Sequence, residues 1–170
     1  FAREVFARET GRDARDFAFD LGPNGKPRIA SGELHFNLTH TGEHALLAVG
    51  DRELGIDAEE IRGERVDGPL AQRVMTGEEF ETWSHATRAD QVRAFFRLWS
   101  AKESVMKATG LGMQLSPASF AVLAPGTLAL AESVAIESQM WTLRELGGPP
   151  DIAVALATQG LELVSQLAFE

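Results

Sequence analysis

Cysteine is absent from this chain of 170 residues, which excludes disulfide bonds, thiolate metal sites and cysteine nucleophiles. No apolar run approaches the roughly 20 residues that a membrane-spanning helix needs, so we expect no membrane partner. No signal-peptide pattern follows Phe1, and a cytoplasmic location is therefore expected. Hydrophobic residues make up 44% of the chain, which is enough for an ordinary packed core.

Positive charge is also scarce. The chain has 16 basic and 25 acidic residues, and its formal net charge is -9. Because an acidic surface repels a phosphate backbone, we expect no nucleic-acid partner. Only three of the basic residues are lysines, at positions 26, 102 and 107. This bias either marks sites that need a compact ammonium rather than a planar guanidinium, or arises by chance.

Hydrophobic periodicity and turn signals predict an α+β fold with mostly antiparallel strands. The predicted helices cover residues 2–10, 70–75 and 90–109, with another starting at the capping-box spacing of residues 76–79. The predicted strands cover residues 17–21, 34–40, 45–49, 54–59, 120–123, 128–130, 134–136, 140–146 and 152–157. We expect Asp90 to cap the long helix, Gly110 to end it, and strands 45–49 and 54–59 to pair through the polar turn between them.

The first informative motif is Gly55-Ile56-Asp57-Ala58-Glu59. In a strand, Asp57 and Glu59 point to the same face. An isolated pair of this kind more often lies on the solvent face of an edge strand. Two features favour a functional interpretation: a strand glycine often marks close approach by another group, and a divalent ion would relieve the repulsion between like charges.

The second motif, Trp99-Ser100-Ala101-Lys102-Glu103-Ser104-Val105-Met106-Lys107, lies in the long predicted helix. Trp99, Glu103 and Lys107 follow one another at one-turn spacing along a single stripe. Glu103 and Lys107 could form a plain surface ion pair, but their stripe continues the apolar face of the helix. Together with the first motif they offer three carboxylates and one ammonium, which suit a magnesium ion and a diphosphate. The pattern therefore suggests phosphoryl-type transfer.

Three further side chains have two interpretations each. His40, which follows Thr39 at a strand end, is either a structural histidine or a phosphate donor assisted by that threonine. Lys26, in the predicted turn around Pro27, is either solvated or directed at a ligand. Glu79 serves the predicted helix cap, and any other role would be additional.

Four motifs in this order resemble the long, pseudo-dimeric (Sfp-like) 4′-phosphopantetheinyl transferases. They are Gly25-Lys26-Pro27, Phe36-Asn37-Leu38-Thr39-His40 and the two acidic motifs. The resemblance implies a holo-[acyl-carrier-protein] synthase type of enzyme. Such an enzyme moves the phosphopantetheine arm of coenzyme A to a serine of an acyl or peptidyl carrier protein and releases adenosine 3′,5′-bisphosphate.

The resemblance also implies residue roles around a metal ion. Asp57, Glu59 and Glu103 would hold Mg²⁺, or Mn²⁺, against the diphosphate. Lys107 would neutralise the diphosphate. Glu103 is the favoured base for the serine proton, and Glu79 is the other candidate.

For the nucleotide, the resemblance implies that Thr39 and His40 grip the 3′-phosphate of coenzyme A. Lys26 would lie near the cofactor, and Trp99 would shape the floor of the pocket. We expect the acidic carrier protein to dock through an apolar patch and a few arginines, such as Arg88, Arg93 or Arg97.

The implied architecture is two similar α+β halves with coenzyme A between them, in a monomer. Residues 1–54 would be the remainder of the first half, and residues 55–170 the second half, which carries the metal site. Long members have several dozen more residues before the point at which this chain opens, so the first half is expected to lack its first part. Two other functions stay open: a magnesium-dependent nucleotide-diphosphate hydrolase, and a non-catalytic homologue that binds carrier proteins.

Overall fold

The computed structural model describes residues 2–160 and 168–169, and its fold is the predicted mixture of helices and antiparallel sheet. The α-helices of this part of the chain are α1 (Ala2–Thr10), α2 (Gly68–Val74), α3 (Gly77–Ser84) and α4 (Arg88–Thr109). The strands are β1 (Phe19–Leu21), β2 (Pro27–Ile29), β3 (His35–Thr41), β4 (His44–Gly50), β5 (Leu54–Glu60), β6 (Ser133–Ile136), β7 (Gln139–Leu146), β8 (Ile152–Thr158) and β9 (Ala168–Phe169). None of the described helices is long and apolar enough to cross a membrane.

Side-chain caps set the helix ends. At the start of α3 the capping box is complete: Thr76 Oγ1 accepts from the Glu79 amide, and Glu79 Oε2 accepts from the Thr76 amide. Helix α4 begins earlier than predicted, because Thr87 rather than Asp90 is its N-cap, and Asp90 lies in the first turn. The helix ends as predicted at Gly110, whose φ of 68° lies in the left-handed region that favours glycine.

The strands form three antiparallel groups in the described residues. Their orders are β5-β8-β7-β6, β3-β4-β9 and β1-β2. The predicted pairing of residues 45–49 with residues 54–59 is wrong, because β4 pairs with β3 while β5 pairs with β8. All seven residues of β8 are buried, so its backbone N–H and C=O groups need partners on both edges, which β5 and β7 supply. That long-range requirement outweighs the local turn signal between β4 and β5.

Two further predicted strands, at residues 120–123 and 128–130, are reduced to a single bridge between Leu123 and Leu130. The amides of Val122 and Leu123 instead donate to Glu79 Oε1, at 2.7 and 3.2 Å. A buried carboxylate has taken the hydrogen bonds that a neighbouring strand would otherwise supply.

Helix α4 covers one face of the four-stranded sheet and forms the main core with it. The core residues of α4 that are most completely buried are Leu98, Ala101 and Val105, each with 0% exposure. A second apolar cluster joins β4 to β5 and β8 through Leu46, Ile56 and Val154. The expected division of the chain at Leu54 stays a prediction. Residues 161–167 and 170 of the expected second half lie outside the described residues.

Candidate active site

Gly55 brings strand β5 directly against helix α4. A Cβ atom at this position would lie 2.9 Å from Ala108 Cα, and closer still to the Ser104 carbonyl oxygen and the Ala108 nitrogen. These are backbone atoms that cannot move aside, so only a hydrogen atom fits. The prediction that Gly55 marks close approach by another group is confirmed, and this approach places the two acidic motifs side by side.

Lys107 of α4 reaches across to the first motif. Its Nζ lies 2.6 Å from Asp57 Oδ1 and 3.3 Å from Thr39 Oγ1. The Thr39 hydroxyl donates to the same Asp57 oxygen at 3.2 Å. The contact therefore joins three elements, β3, β5 and α4, around one carboxylate oxygen.

Asp57 is a buried carboxylate, and only one of its two oxygens is hydrogen-bonded within the described residues. The residue is 4% exposed, and its Oδ2 atom has no hydrogen-bond partner in the described part of the chain. Burial raises the pKa of Asp57, although the Lys107 ammonium and the Thr39 hydroxyl oppose the shift. A buried oxygen without a donor is costly, so its lone pairs are available to a cation.

Glu103 lies on α4 one turn before Lys107 and is partly buried. Burial raises the pKa of Glu103, the charge of Asp57 raises it further, Lys107 lowers it, and Glu59 adds a smaller upward effect. These interactions place Glu103 within electrostatic range of both acidic residues of β5. A raised pKa makes the Glu103 carboxylate a stronger proton acceptor than an ordinary surface carboxylate.

Trp99 makes a contact that the sequence did not predict. Its indole Nε1 donates to Glu59 Oε1 at 3.1 Å. The tryptophan therefore orients the second acid of β5. The one-turn spacing of Trp99 and Glu103 was the available signal, since it placed the indole on the stripe that faces the acid pair.

The three acids do not form a closed metal cage. Within residues 2–160 and 168–169, no group of three or more histidine and acidic side chains could hold a metal ion as it stands. Lys107 occupies one oxygen of Asp57, and Trp99 one oxygen of Glu59. The donor chemistry nevertheless fits a hard divalent cation, because carboxylate oxygens are preferred ligands and Asp57 Oδ2 is unpartnered in the described residues.

Lys26 is held by three acceptors of the protein itself. Its Nζ lies 2.6 Å from Glu53 Oε2 and 3.0 Å from the carbonyl oxygens of Leu54 and Ala108. An ammonium has three protons, and all three have acceptors here. Lys26 thus links the turn between β1 and β2 to the start of β5 and the end of α4, and its contact with a cofactor stays a prediction.

Thr39 and His40 are not brought to one point. Neighbouring residues of a strand point to opposite faces, and in β3 Thr39 is buried while His40 is exposed. The Thr39 hydroxyl is directed at Asp57 and Lys107. Both side chains could therefore bind the same phosphate only if the end of β3 moved.

The family model of the 4′-phosphopantetheinyl transferase superfamily matches residues 53–157. The chain belongs to this superfamily. The matched stretch contains both acidic motifs and their contact at Gly55, so the resemblance inferred from the motifs is confirmed. Lys26, Thr39 and His40 precede it.

Individual relatives agree with the family match. The chain is 37% identical over 103 residues to the 4′-phosphopantetheinyl transferase psf-1 of Bacillus pumilus. The aligned stretch covers 60% of this chain and 43% of that protein. It is 33% identical over 121 residues to a 4′-phosphopantetheinyl transferase of Bacillus subtilis, covering 71% and 53%. It is 31% identical over 163 residues to the 4′-phosphopantetheinyl transferase HetI of a Nostoc species, covering 93% and 67%. The chain spans about half the length of the first two relatives.

Glu79, the other candidate base, is fully engaged with other groups. It is 3% exposed and lies 2.6 Å from the ammonium of Lys102, which is 0% exposed. Its carboxylate also accepts from three backbone amides, and Lys102 donates to the carbonyl oxygens of Pro117 and Phe120. The pair therefore fastens α4 to α3 and to the following loop, which favours Glu103 as the base.

Two of the arginines expected to dock a carrier protein already have partners within the chain. Arg88 donates to the carbonyl oxygens of Gly63 and Val66, at 2.8 and 2.7 Å. Arg97 forms an ion pair with Glu145. Arg93 is exposed. The proposed role of these arginines in docking stays a prediction.

Sequence reasoning missed Asn37 and Thr41. Asn37 is 8% exposed, and its Oδ1 accepts from the Ile56 amide at 2.8 Å. Thr41 Oγ1 accepts from the Glu60 amide at 3.1 Å. The signal was present: Asn37, Thr39 and Thr41 alternate along β3 and put three polar groups on one face.

Proposed function

We propose that this protein transfers the 4′-phosphopantetheine arm of coenzyme A to a serine hydroxyl of an acyl or peptidyl carrier protein. The observation that supports it best is the contact of Asp57 with Lys107 inside the family-matched stretch, with Glu103 within electrostatic range of both. The relatives carry the name of this activity. A cytoplasmic, monomeric protein stays our prediction.

Asp57, Glu59 and Glu103 would hold Mg²⁺, with Mn²⁺ as an alternative ion. The unpartnered Asp57 Oδ2 and the crowding of like charges around Glu103 support this assignment. When bound, the ion supplies positive charge to the diphosphate of coenzyme A. The positive charge of the ion would also offset the repulsion among the three carboxylates.

The chain's own residues account for proton and charge movements. Glu103 takes the proton of the carrier serine hydroxyl. At the same time the serine oxygen bonds to the phosphorus that bears the pantetheine arm. The bond from that phosphorus to the bridging oxygen breaks, and the electron pair leaves with adenosine 3′,5′-bisphosphate. Lys107 donates to the diphosphate oxygens as their negative charge grows. Its contact with Thr39, at 3.3 Å, fixes the direction of the ammonium.

The remaining predicted residues would bind the nucleotide part of coenzyme A. Thr39 and His40, near the end of β3, would bind the 3′-phosphate after movement there, whereas Lys26 lies beside His35 at the start of the strand. A pocket of about 200 Å³ beside Lys26 is also lined by His35, Phe36 and Glu53. Trp99 would shape the floor of the site at the acid pair, where its indole donates to Glu59 Oε1.

The test is incubation of the chain with coenzyme A, Mg²⁺ and an apo carrier protein, followed by intact mass measurement of the carrier. We expect the carrier to gain one phosphopantetheine group. Asp57→Ala should abolish the gain without loss of fold, and Asp51→Asn, at an exposed turn residue, is the matched control. Cleavage of coenzyme A without an acceptor would indicate a hydrolase. Carrier binding without a mass change would indicate a non-catalytic homologue.

A further inference from the structure

Strand β5, which carries Asp57 and Glu59, lies at the edge of its sheet. It pairs with β8 on one side, and among the described strands the order β5-β8-β7-β6 leaves its other side without a backbone partner. The amides on such an edge need acceptors, because an unpaired buried amide is costly. Strand β3 runs beside this edge but belongs to a different sheet.

Side chains of β3 take the place of the missing strand. Asn37 Oδ1 accepts from the Ile56 amide at 2.8 Å, and Thr41 Oγ1 accepts from the Glu60 amide at 3.1 Å. Both contacts join residues 19 positions apart in the chain. This constant offset means that β3 and β5 run in the same direction with one register.

The two contacts flank the centre of the site. Thr39 lies between Asn37 and Thr41 on the same face of β3, and its hydroxyl donates to Asp57 Oδ1 at 3.2 Å. Because side chains alternate along a strand, a slip of one residue would turn Thr39 away from Asp57. A fixed register is therefore a condition for the contact among Thr39, Asp57 and Lys107.

We propose that Asn37 and Thr41 are positioning residues, whose side chains hold the open edge of β5 so that the Asp57 carboxylate meets Thr39 and Lys107. Their hydrogen bonds are made to backbone amides of β5, at Ile56 and Glu60. The effect on catalysis rests on the proposed transferase function, whereas the effect on the ion pair of Asp57 and Lys107 does not.

The first test uses the free protein. With only three lysines in the chain, the ammonium signals of a ¹⁵N-labelled sample can be separated by nuclear magnetic resonance. The Lys107 ammonium should exchange its protons slowly in the wild type, since Asp57 and Thr39 hold it. Thr41→Val, which keeps the shape but removes the acceptor, should speed this exchange and the exchange of the Glu60 amide. The buried Lys102 signal should not change.

Conservative variants and a second position complete the design. Thr41→Ser retains the acceptor oxygen and should restore slow exchange at both groups. Asn37→Leu should speed exchange at Ile56 and Lys107. Thr127→Val, which removes hydrogen bonds to Ala124 and Ala129 in an exposed turn, is the matched control and should leave Lys107 unchanged.

The second test is the transfer assay. We expect Thr41→Val to lower kcat roughly 10- to 100-fold with little change in KM for the carrier, since displacements of about 1 Å have effects of this size. Thr41→Ser should recover most of the rate. Unchanged Lys107 and Glu60 exchange in a folded Thr41→Val protein would overturn the proposal, as would normal kcat in an active enzyme. A wild type that transfers nothing would contradict the proposed function alone, and the exchange data would still decide the positioning role.

Discussion

Gly55 and Ala108 are in backbone contact, because a Cβ atom on Gly55 would lie 2.9 Å from Ala108 Cα and closer still to the Ala108 nitrogen. This contact sets the distance between β5 and α4. The Asp57 carboxylate and the Lys107 ammonium extend from these two elements and meet at 2.6 Å. The missing side chain of a glycine thus allows the ion pair of the site to form.

Gly55→Ala should push β5 away from α4. Overpacking of this kind costs about 1–3 kcal/mol, and the neighbouring atoms here are backbone, so we expect the upper end of that range. Urea unfolding measures the cost, and transfer activity should fall with it. Gly77→Ala, at a position with open space around the Cβ, is the matched control. A Gly55→Ala protein as stable as the wild type would show that the strand and helix can separate freely.

Lys102→Met should be strongly destabilising. It would leave the Glu79 carboxylate buried without its cation, and breaking such a buried pair costs about 3–5 kcal/mol. The loss is measured as a change in the free energy of unfolding in urea. Adding Glu79→Gln should recover part of it, since a neutral amide oxygen can still accept from the Val122 and Leu123 amides. A loss below about 1 kcal/mol would mean that the pair is not held as tightly as its burial indicates.

Glu103→Gln should raise stability while it removes activity. Burial and the Asp57 charge raise the pKa of Glu103 in the folded protein. The folded state therefore binds this proton more tightly than the unfolded state, so the contribution of Glu103 to stability improves as the pH falls and is least favourable above the raised pKa. A neutral glutamine avoids this cost at neutral pH.

Thermal unfolding with a chelator present measures this effect. We expect Tm of Glu103→Gln to rise by about 2–4 °C at neutral pH, which corresponds to about 1 kcal/mol for a domain of this size. The advantage should shrink at acidic pH, where the native Glu103 is also neutral. Glu132→Gln, at an exposed carboxylate, should show no such gain. A Tm advantage that is independent of pH would contradict the electrostatic explanation.

Trp99→Phe should weaken the response to Mg²⁺. The change keeps an aromatic ring but removes the indole donor to Glu59 Oε1. Loss of a group that orients a metal ligand typically costs about 10- to 100-fold in metal affinity. Titration of the transfer rate with Mg²⁺ gives the apparent affinity. Trp141→Phe is the matched control, because the Trp141 indole nitrogen has no partner in the described residues. Equal Mg²⁺ dependence in both variants would remove Trp99 from the site.

Short-range chemistry in the sequence accounts for much of the fold. Local signals predicted the Thr76–Glu79 capping box and the helix stop at Gly110, and the structure has both. Most of the predicted strand segments are also present. Predictions failed where distant residues compete with local ones. Strand β5 pairs with β8, about a hundred residues later, because the apolar β8 must be covered. Residues 122 and 123 donate to Glu79 rather than to a strand.

The four motifs predicted the family through their resemblance, and periodicity with turn signals predicted the α+β class. Spacing within the motifs placed Asp57 with Glu59, and Glu103 with Lys107, on common faces. How these faces meet depends on the packing of the whole chain. That packing directed Trp99 at Glu59 and Lys26 at backbone carbonyls. Periodicity describes a face within one element, whereas contacts between elements are set by the core that all of them share.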